Sequence, residues 1–269
     1  MNLHAPSCDC SAPRRAALTL LEMMVSITLL AAIMIGLLAM FNQAQKALHI
    51  AHMQADVFEN ARGAMQIVGR DLMEMTGTTD TNVTYARALT ITNWGLTLPG
   101  GNTQDLTSVE SFWLTRVNDD WTGVGYYVAD ANYGVGTLYR FSGTVRESKI
   151  ADLYGAFTAP MPTNTHRVSD GIVHFLLRPN YVKDTNLLGE TLYSNDIDHR
   201  FESNNLPAFV EVEIGVLETA TLKQFEALKS ANVVEAQNFL RNHAGRIHFF
   251  RERVPVRNFV NPYRANEVP

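Results

Sequence analysis

From Leu18 to Phe41 the chain reads LTLLEMMVSITLLAAIMIGLLAMF, 24 residues with one charge, Glu22. At about 1.5 Å per residue this run spans roughly 36 Å as a helix, enough to cross a hydrocarbon layer of about 30 Å with some tilt. Few soluble cores need so long an apolar run, which sets aside a buried core helix. A cleaved secretory signal is the other competitor, but its apolar part is usually about 7–15 residues and ends at a small-residue site. Here Asn42-Gln43-Ala44-Gln45 continues in helical phase, so the run reads as a retained transmembrane helix. Arg14 and Arg15 precede it and no comparable basic cluster follows. The excess of positive charge on one flank predicts a cytoplasmic N-terminus and an extracytoplasmic remainder.

Composition narrows the rest. The chain has 269 residues, 46% hydrophobic and 18% charged, with a net charge of -5. That is too apolar for a disordered chain and too acidic for a protein built to neutralise nucleic-acid phosphates. Two cysteines, Cys8 and Cys10, cannot make a disulfide scaffold. The mean hydropathy of -0.07 resembles that of a soluble protein because it averages the membrane run with a more polar remainder.

Glu22 is costly inside an apolar segment, by about 2.5–3.5 kcal/mol at a helix centre and less near an end, so it needs a partner. Ala17-Leu18-Thr19-Leu20-Leu21-Glu22-Met23-Met24-Val25 resembles the processing motif of type IV prepilins and type II secretion pseudopilins. The resemblance implies a basic leader, residues 1–17, cut by a prepilin peptidase between Ala17 and Leu18, with N-methylation on Leu18. It places Glu22 at the fifth mature position, where the family pairs this carboxylate with the α-amine of a neighbouring subunit. Ala17 stands where the family normally has Gly, and Leu18 where Phe is commoner. Both cysteines fall in the leader. Without its Asp9, Arg14 and Arg15, the mature chain of 252 residues carries 26 acidic and 20 basic side chains, a net of -6.

No proline lies between Pro13 and Pro99, so one helix can run from about Thr19 to Met75. Ala44, Leu48, Ala51, Ala55, Phe58, Met65, Leu72 and Met75 form its predicted apolar stripe. The expected organisation is a transmembrane helix over 18–41, an amphipathic continuation over 42–76 and an extracytoplasmic β-rich head over 77–269. The fold class is α+β, a long helix packed on an antiparallel sheet. Strands are predicted near Ala88–Asn93, Ser111–Val117, Gly125–Ala129, Thr137–Phe141, Gly171–Leu177, Ala208–Leu217 and Arg246–Val254. Val210, Val212, Ile214 and Val216 alternate with Glu211 and Glu213, which predicts a covered face and a wetter face. A second helix is predicted from Thr221 to Asn242.

Within the family, several short segments resemble the larger minor pseudopilins of the GspJ/PilW type. They are Arg62-Gly63-Ala64-Met65 with Arg70-Asp71-Leu72, Tyr126-Tyr127-Val128, Leu138-Tyr139-Arg140, and Leu206-Pro207-Ala208-Phe209-Val210-Glu211-Val212. The segment Phe250–Arg257 also resembles a pilin-like group called Verru_Chthon cassette protein C.

Catalytic signatures are absent from the sequence: no Gly-x-Ser-x-Gly, no phosphate-binding glycine loop and no His-Glu-x-x-His. No enzyme and no cofactor are expected. His49 and His52 share a helix face without a third ligand nearby and read as a solvated pair. Asp130-Ala131-Asn132-Tyr133-Gly134 starts like a calcium loop but lacks the later Gly and Glu, so it reads as a turn. Asn195-Asp196-Ile197-Asp198-His199 is an exposed loop by default, with Asp196 and Asp198 as the calcium candidates. Arg251, Arg253 and Arg257 form a small basic row, read as an edge-protecting device or a subunit contact.

The expected function is a structural minor pilin or pseudopilin of a pilus or secretion machine, at or near the filament tip. Its partners would be prepilin peptidase, sister pilins and the bacterial inner membrane, with no nucleic acid. The alternatives are a filament-displayed adhesin or ligand-binding module and, further off, a signal-anchored extracytoplasmic enzyme.

Overall fold

The structure is a computed structural model that describes residues 19–78, 86–97, 103–159, 162–185, 191–194 and 206–258. The leader, the Ala17–Leu18 junction and the Asp196/Asp198 loop lie outside the described residues. The chain divides into two compact units, Met1–Ala51 and His52–Pro269. One helix, α1 (Leu20–Met73), contributes to both.

In the first unit α1 is exposed at every described position. Among the described residues α1 is the one helix long and apolar enough to span a membrane. Two of its polar side chains are satisfied by the helix itself. Ser26 Oγ donates to the Glu22 carbonyl at 2.8 Å and Thr28 Oγ1 to the Val25 carbonyl at 2.8 Å. Hydroxyls bonded back to their own backbone remove the main cost of a polar group in lipid.

The second unit holds the rest of α1 and, among the described residues, eight strands. These are β1 (Ala86–Thr97), β2 (Thr103–Val117), β3 (Asp120–Ala129), β4 (Gly136–Arg146), β5 (Thr165–Thr185), β6 (Thr191–Ser194), β7 (Phe209–Leu217) and β8 (Ile247–Pro255). They form one sheet in the order β1-β2-β3-β4-β5-β7-β8, with β6 also on β5. Every ladder is antiparallel except a parallel bridge of Ser108 to Phe175, between β2 and β5. The β3–β4 hairpin is therefore a wedge, and beyond its tip β2 and β5 meet directly.

The two faces of the wedge are covered differently. On one face Val124, Tyr126 and Val128 of β3 pack with Val57, Ala61, Ala64, Val68 and Leu72 of α1 in one core. The buried side of α1 thus runs through Val57 and Ala61, not through the predicted Ala55 and Phe58, both exposed. The two stripes converge at Met65, Leu72 and Met75. Small residues at positions 61 and 64 let the helix lie close to the sheet, which the bulk of Phe58 would prevent. Phe58 instead meets Phe250 edge-on at 5.4 Å. On the opposite face a short helix that the sequence reading missed, α2 (Ile150–Phe157), lays Leu153 and Phe157 over Gly123, Gly125 and Gly143. A Cβ at Gly125 would collide with the Phe157 ring, so glycine here clears the seat for α2.

The helix expected over Thr221–Asn242 is two helices, α3 (Thr219–Ala231) and α4 (Val233–Asn242). Asn232 breaks it. Its backbone is extended (φ -154°), and its side chain accepts the Val234 and Glu235 amides, so it serves as the N-cap of α4.

One buried polar knot fixes α1 to the sheet. Asp71 is 3% exposed and its carboxylate accepts from Tyr126 Oη at 2.7 Å and Arg140 Nε at 2.5 Å. Trp113 Nε1 donates to the Asp71 carbonyl at 3.1 Å. Burial, then the Asp71 carboxylate, pushes the Tyr126 phenol well up, so it stays a donor. The C-terminus of α1 is closed by the chain's far end: Arg257 N–H donates to the Met73 carbonyl at 3.4 Å and Asn258 Nδ2 to the Met75 carbonyl at 2.9 Å.

Asp71→Ala should cost about 3 kcal/mol, the low end for breaking a buried pair, because Arg140 keeps some access to water. Denaturant unfolding of the detergent-solubilised chain measures it. Gly125→Val should dislodge Phe157 and be read as lost near-ultraviolet aromatic dichroism.

Candidate functional site

The site singled out by the sequence is the head of α1. Thr19 and Glu22 form a reciprocal cap there. Thr19 N–H and Oγ1 both donate to Glu22 Oε2, at 3.1 and 3.3 Å, and Glu22 N–H donates back to Thr19 Oγ1 at 3.3 Å. This is the capping-box arrangement, which satisfies amides that the first helical turn leaves unpaired. The carboxylate also lies at the positive end of the helix dipole, where negative charge is favoured. Glu22 is therefore held at the first turn by its own chain, through Thr19, the residue that follows Leu18. The Ser/Thr-x-x-Glu spacing that signals this cap is present as Thr19-Leu20-Leu21-Glu22, inside the segment that resembles the processing motif.

His49 and His52 are exposed on successive turns of α1, and they stand on opposite sides of the boundary between the two units. Asp130 opens a single 3-10 turn, Ala131–Tyr133, which Gly134 closes in the left-handed region (φ 93°). Its carboxylate takes Lys229 Nζ at 3.0 Å, and the same ammonium stands 4.4 Å from the centre of the Tyr133 ring. The turn thus ties the hairpin tip to α3. Among the described residues no three His, Cys, Asp or Glu side chains converge as a metal site.

The basic row lies on β8, the last strand in the sheet order, and just past it. Arg251 pairs with Glu213 at 2.6 Å, and Arg253 pairs with Glu211 at 2.6 Å while covering the Phe209 ring at 4.3 Å. The two acidic residues of β7 thus meet the two arginines of β8 across the strand pair, a favourable cross-strand arrangement. Arg257 lies past β8 and closes α1. Glu213 is also 6% exposed, so the expected wet face of β7 is dry at that position.

Around Glu213 lies a cluster that sequence reasoning missed. His174 of β5 is 2% exposed. Its Nδ1 accepts the Thr107 N–H of β2 at 2.9 Å, and its Nε2 faces Glu213 Oε2 at 3.6 Å. Arg178 Nη1 is 3.6 Å from Glu213 Oε1. Burial lowers the His174 pKa, Glu213 pulls it up, and Arg178 and Arg251 push it down, with a net lowering. A buried imidazole whose Nδ1 is occupied by a backbone amide has no arrangement for activating a nucleophile. A lone His in a β-run carries no sequence signal for such a contact, because its partner lies 67 residues away.

No protein-family model, curated protein or solved structure matches this chain. The functional reading therefore rests on the residues themselves.

Glutamine keeps the hydrogen-bonding shape of Glu22 and removes its charge. Glu22→Gln should retain the capping box and leave amide protection of Leu21–Met23 close to wild type. Glu22→Ala should fray that turn. Hydrogen exchange of the chain in detergent micelles separates the two.

Proposed function

We propose that this chain is a structural pilin-like subunit, anchored by α1 in the bacterial inner membrane and assembled with related subunits through that helix. The observation that carries the proposal is the head of α1. Thr19 and Glu22 cap a helix whose apolar run is exposed at every described position up to Ala51, directly after the Ala17–Leu18 junction that resembles a prepilin cleavage site. An exposed apolar surface of this length needs lipid or other helices around it. In this reading both serve in turn: lipid before assembly and sister helices after it.

The α+β layout supports the same reading. A long N-terminal helix enters an antiparallel sheet, as expected for a pilin-like head. Three segments that carried the resemblance, around Asp71, Tyr126 and Arg140, converge on one hydrogen-bonded knot. Prepilin peptidase would cut before Leu18 and free its α-amine. Glu22, held at the first turn, would then offer its carboxylate to the amine of a neighbouring subunit. A buried pair of this kind strongly penalises wrong register, since removing one partner leaves a buried charge.

Intact-mass and N-terminal analysis of the membrane-bound protein should give a chain starting at Leu18 and carrying an N-methyl group. A different N-terminus, or processing unchanged in cells without prepilin peptidase, would sink the proposal. Glu22→Gln should insert normally, keep its cap and lose co-assembly with partner pilins in a crosslinking assay. Normal co-assembly would assign Glu22 to capping alone.

A further inference from the structure

We propose that His174 is an acid-released clasp that holds β2 against β5 at the mouth of the β3–β4 wedge. It rests on the geometry of the sheet and not on the pilin-like reading. Beyond the hairpin tip, β2 and β5 are joined, among the described residues, by one parallel bridge of Ser108 to Phe175. Next to this bridge the Thr107 amide donates to His174 Nδ1 at 2.9 Å. A backbone N–H can only donate, so Nδ1 must be the unprotonated nitrogen and the proton must lie on Nε2. Protonation would place a second N–H where the acceptor was, setting two donors face to face across a dry junction. The clasp has two states, and the proton selects between them.

The surroundings set the direction. Glu213 of β7 faces Nε2 at 3.6 Å and favours the cation. Arg178 of β5 and Arg251 of β8 share that carboxylate and oppose it. Phe249 of β8 places its ring 5.9 Å from the imidazole and supplies no charge. The wedge tip contributes Val128, Ala131 and Gly134 to the small recess beside His174, none of them titratable. That recess also holds Ser108, whose Oγ, like His174 Nε2, has no hydrogen-bond partner among the described residues. The imidazole is thus kept neutral by burial and two arginines against one glutamate.

The sign follows. His174 has a lower pKa folded than unfolded, so its contribution is complete above the ordinary histidine value of about 6.5. It is lost as pH falls from there toward the folded value, because the unfolded chain then binds the proton first. Opening at the bridge frees the β1–β2 arm at this junction, while β5 keeps its ladder with β7.

Hydrogen exchange of the full chain in detergent micelles tests this between about pH 7.5 and pH 5, corrected for intrinsic chemical rates. The expected result is a loss of protection at Thr107 that grows about tenfold for each pH unit below about 6.5 and levels off once the folded His174 value is passed. Peptides from β7 should keep theirs. In His174→Asn the side-chain oxygen accepts the same amide without titrating, and protection should be flat with pH. Protection at Thr107 that survives acid in the wild type, or the same acid loss in His174→Asn, overturns the clasp. Should that variant fail to fold, Arg251→Gln alters only a side chain with an exposed end. Removing that opposing charge brings the folded value closer to the unfolded one, so the acid loss at Thr107 should shrink, and a loss unchanged in size also overturns the proposal.

Discussion

The second unit depends on one carboxylate. Asp71 is the charge on α1 that the core encloses, and its Oδ2 accepts from both a phenol and a guanidinium on adjacent strands. The rest of the helix face is Val57, Ala61, Ala64 and Val68. Such side chains pack equally well at several heights, since dispersion and burial are non-directional. A shift of one helical turn moves Asp71 by about 5.4 Å, out of reach of both partners, and leaves a buried charge alone. Apolar packing supplies the adhesion and Asp71 supplies the register.

The same division of labour recurs elsewhere. Cross-strand pairs of Glu211 with Arg253 and Glu213 with Arg251 fix the alignment of β7 on β8, while the valines beneath provide burial. A one-residue slip would turn the valines outward and set the charges against the wrong face. The α3 and α4 pair is likewise set by one side chain, Asn232, whose cap decides where one helix stops and the next begins.

Much of this was legible in the sequence, and the failures have physical causes. The apolar run, the helix that follows it and the alternating β7 were readable because each repeats its own period over many residues. Strand β5 was read only over Gly171–Leu177. Gly171 adopts a positive φ (69°) and Pro179 looks like a terminator, yet the strand passes through both, with register shifts next to the glycine. The continuous helix expected over Thr221–Asn242 ignored that an Asn suits an N-cap better than a helix interior. Helix α2 was invisible because nothing announces it: Lys149 precedes it without a side-chain cap, and its seat is made by glycines elsewhere in the chain. At the candidate site the motif was legible and the cap was not, although both use the same two residues. The His174 contact was beyond reach, since only the folded sheet brings Thr107 to it.

The wedge also has an evolutionary side. Its tip is hemmed in by the junction of β2 with β5, so lengthening β3 and β4 there by even one residue pair would force that junction apart. Its other end has no such stop. The turn between β2 and β3 passes through Asn118 in a left-handed conformation, with Val117 and Asp119 open to solvent. New sequence in the β3–β4 wedge therefore has one direction in which to grow. Insertions between homologues, or an epitope grafted for display, belong at Asn118–Asp119 and not at the tip.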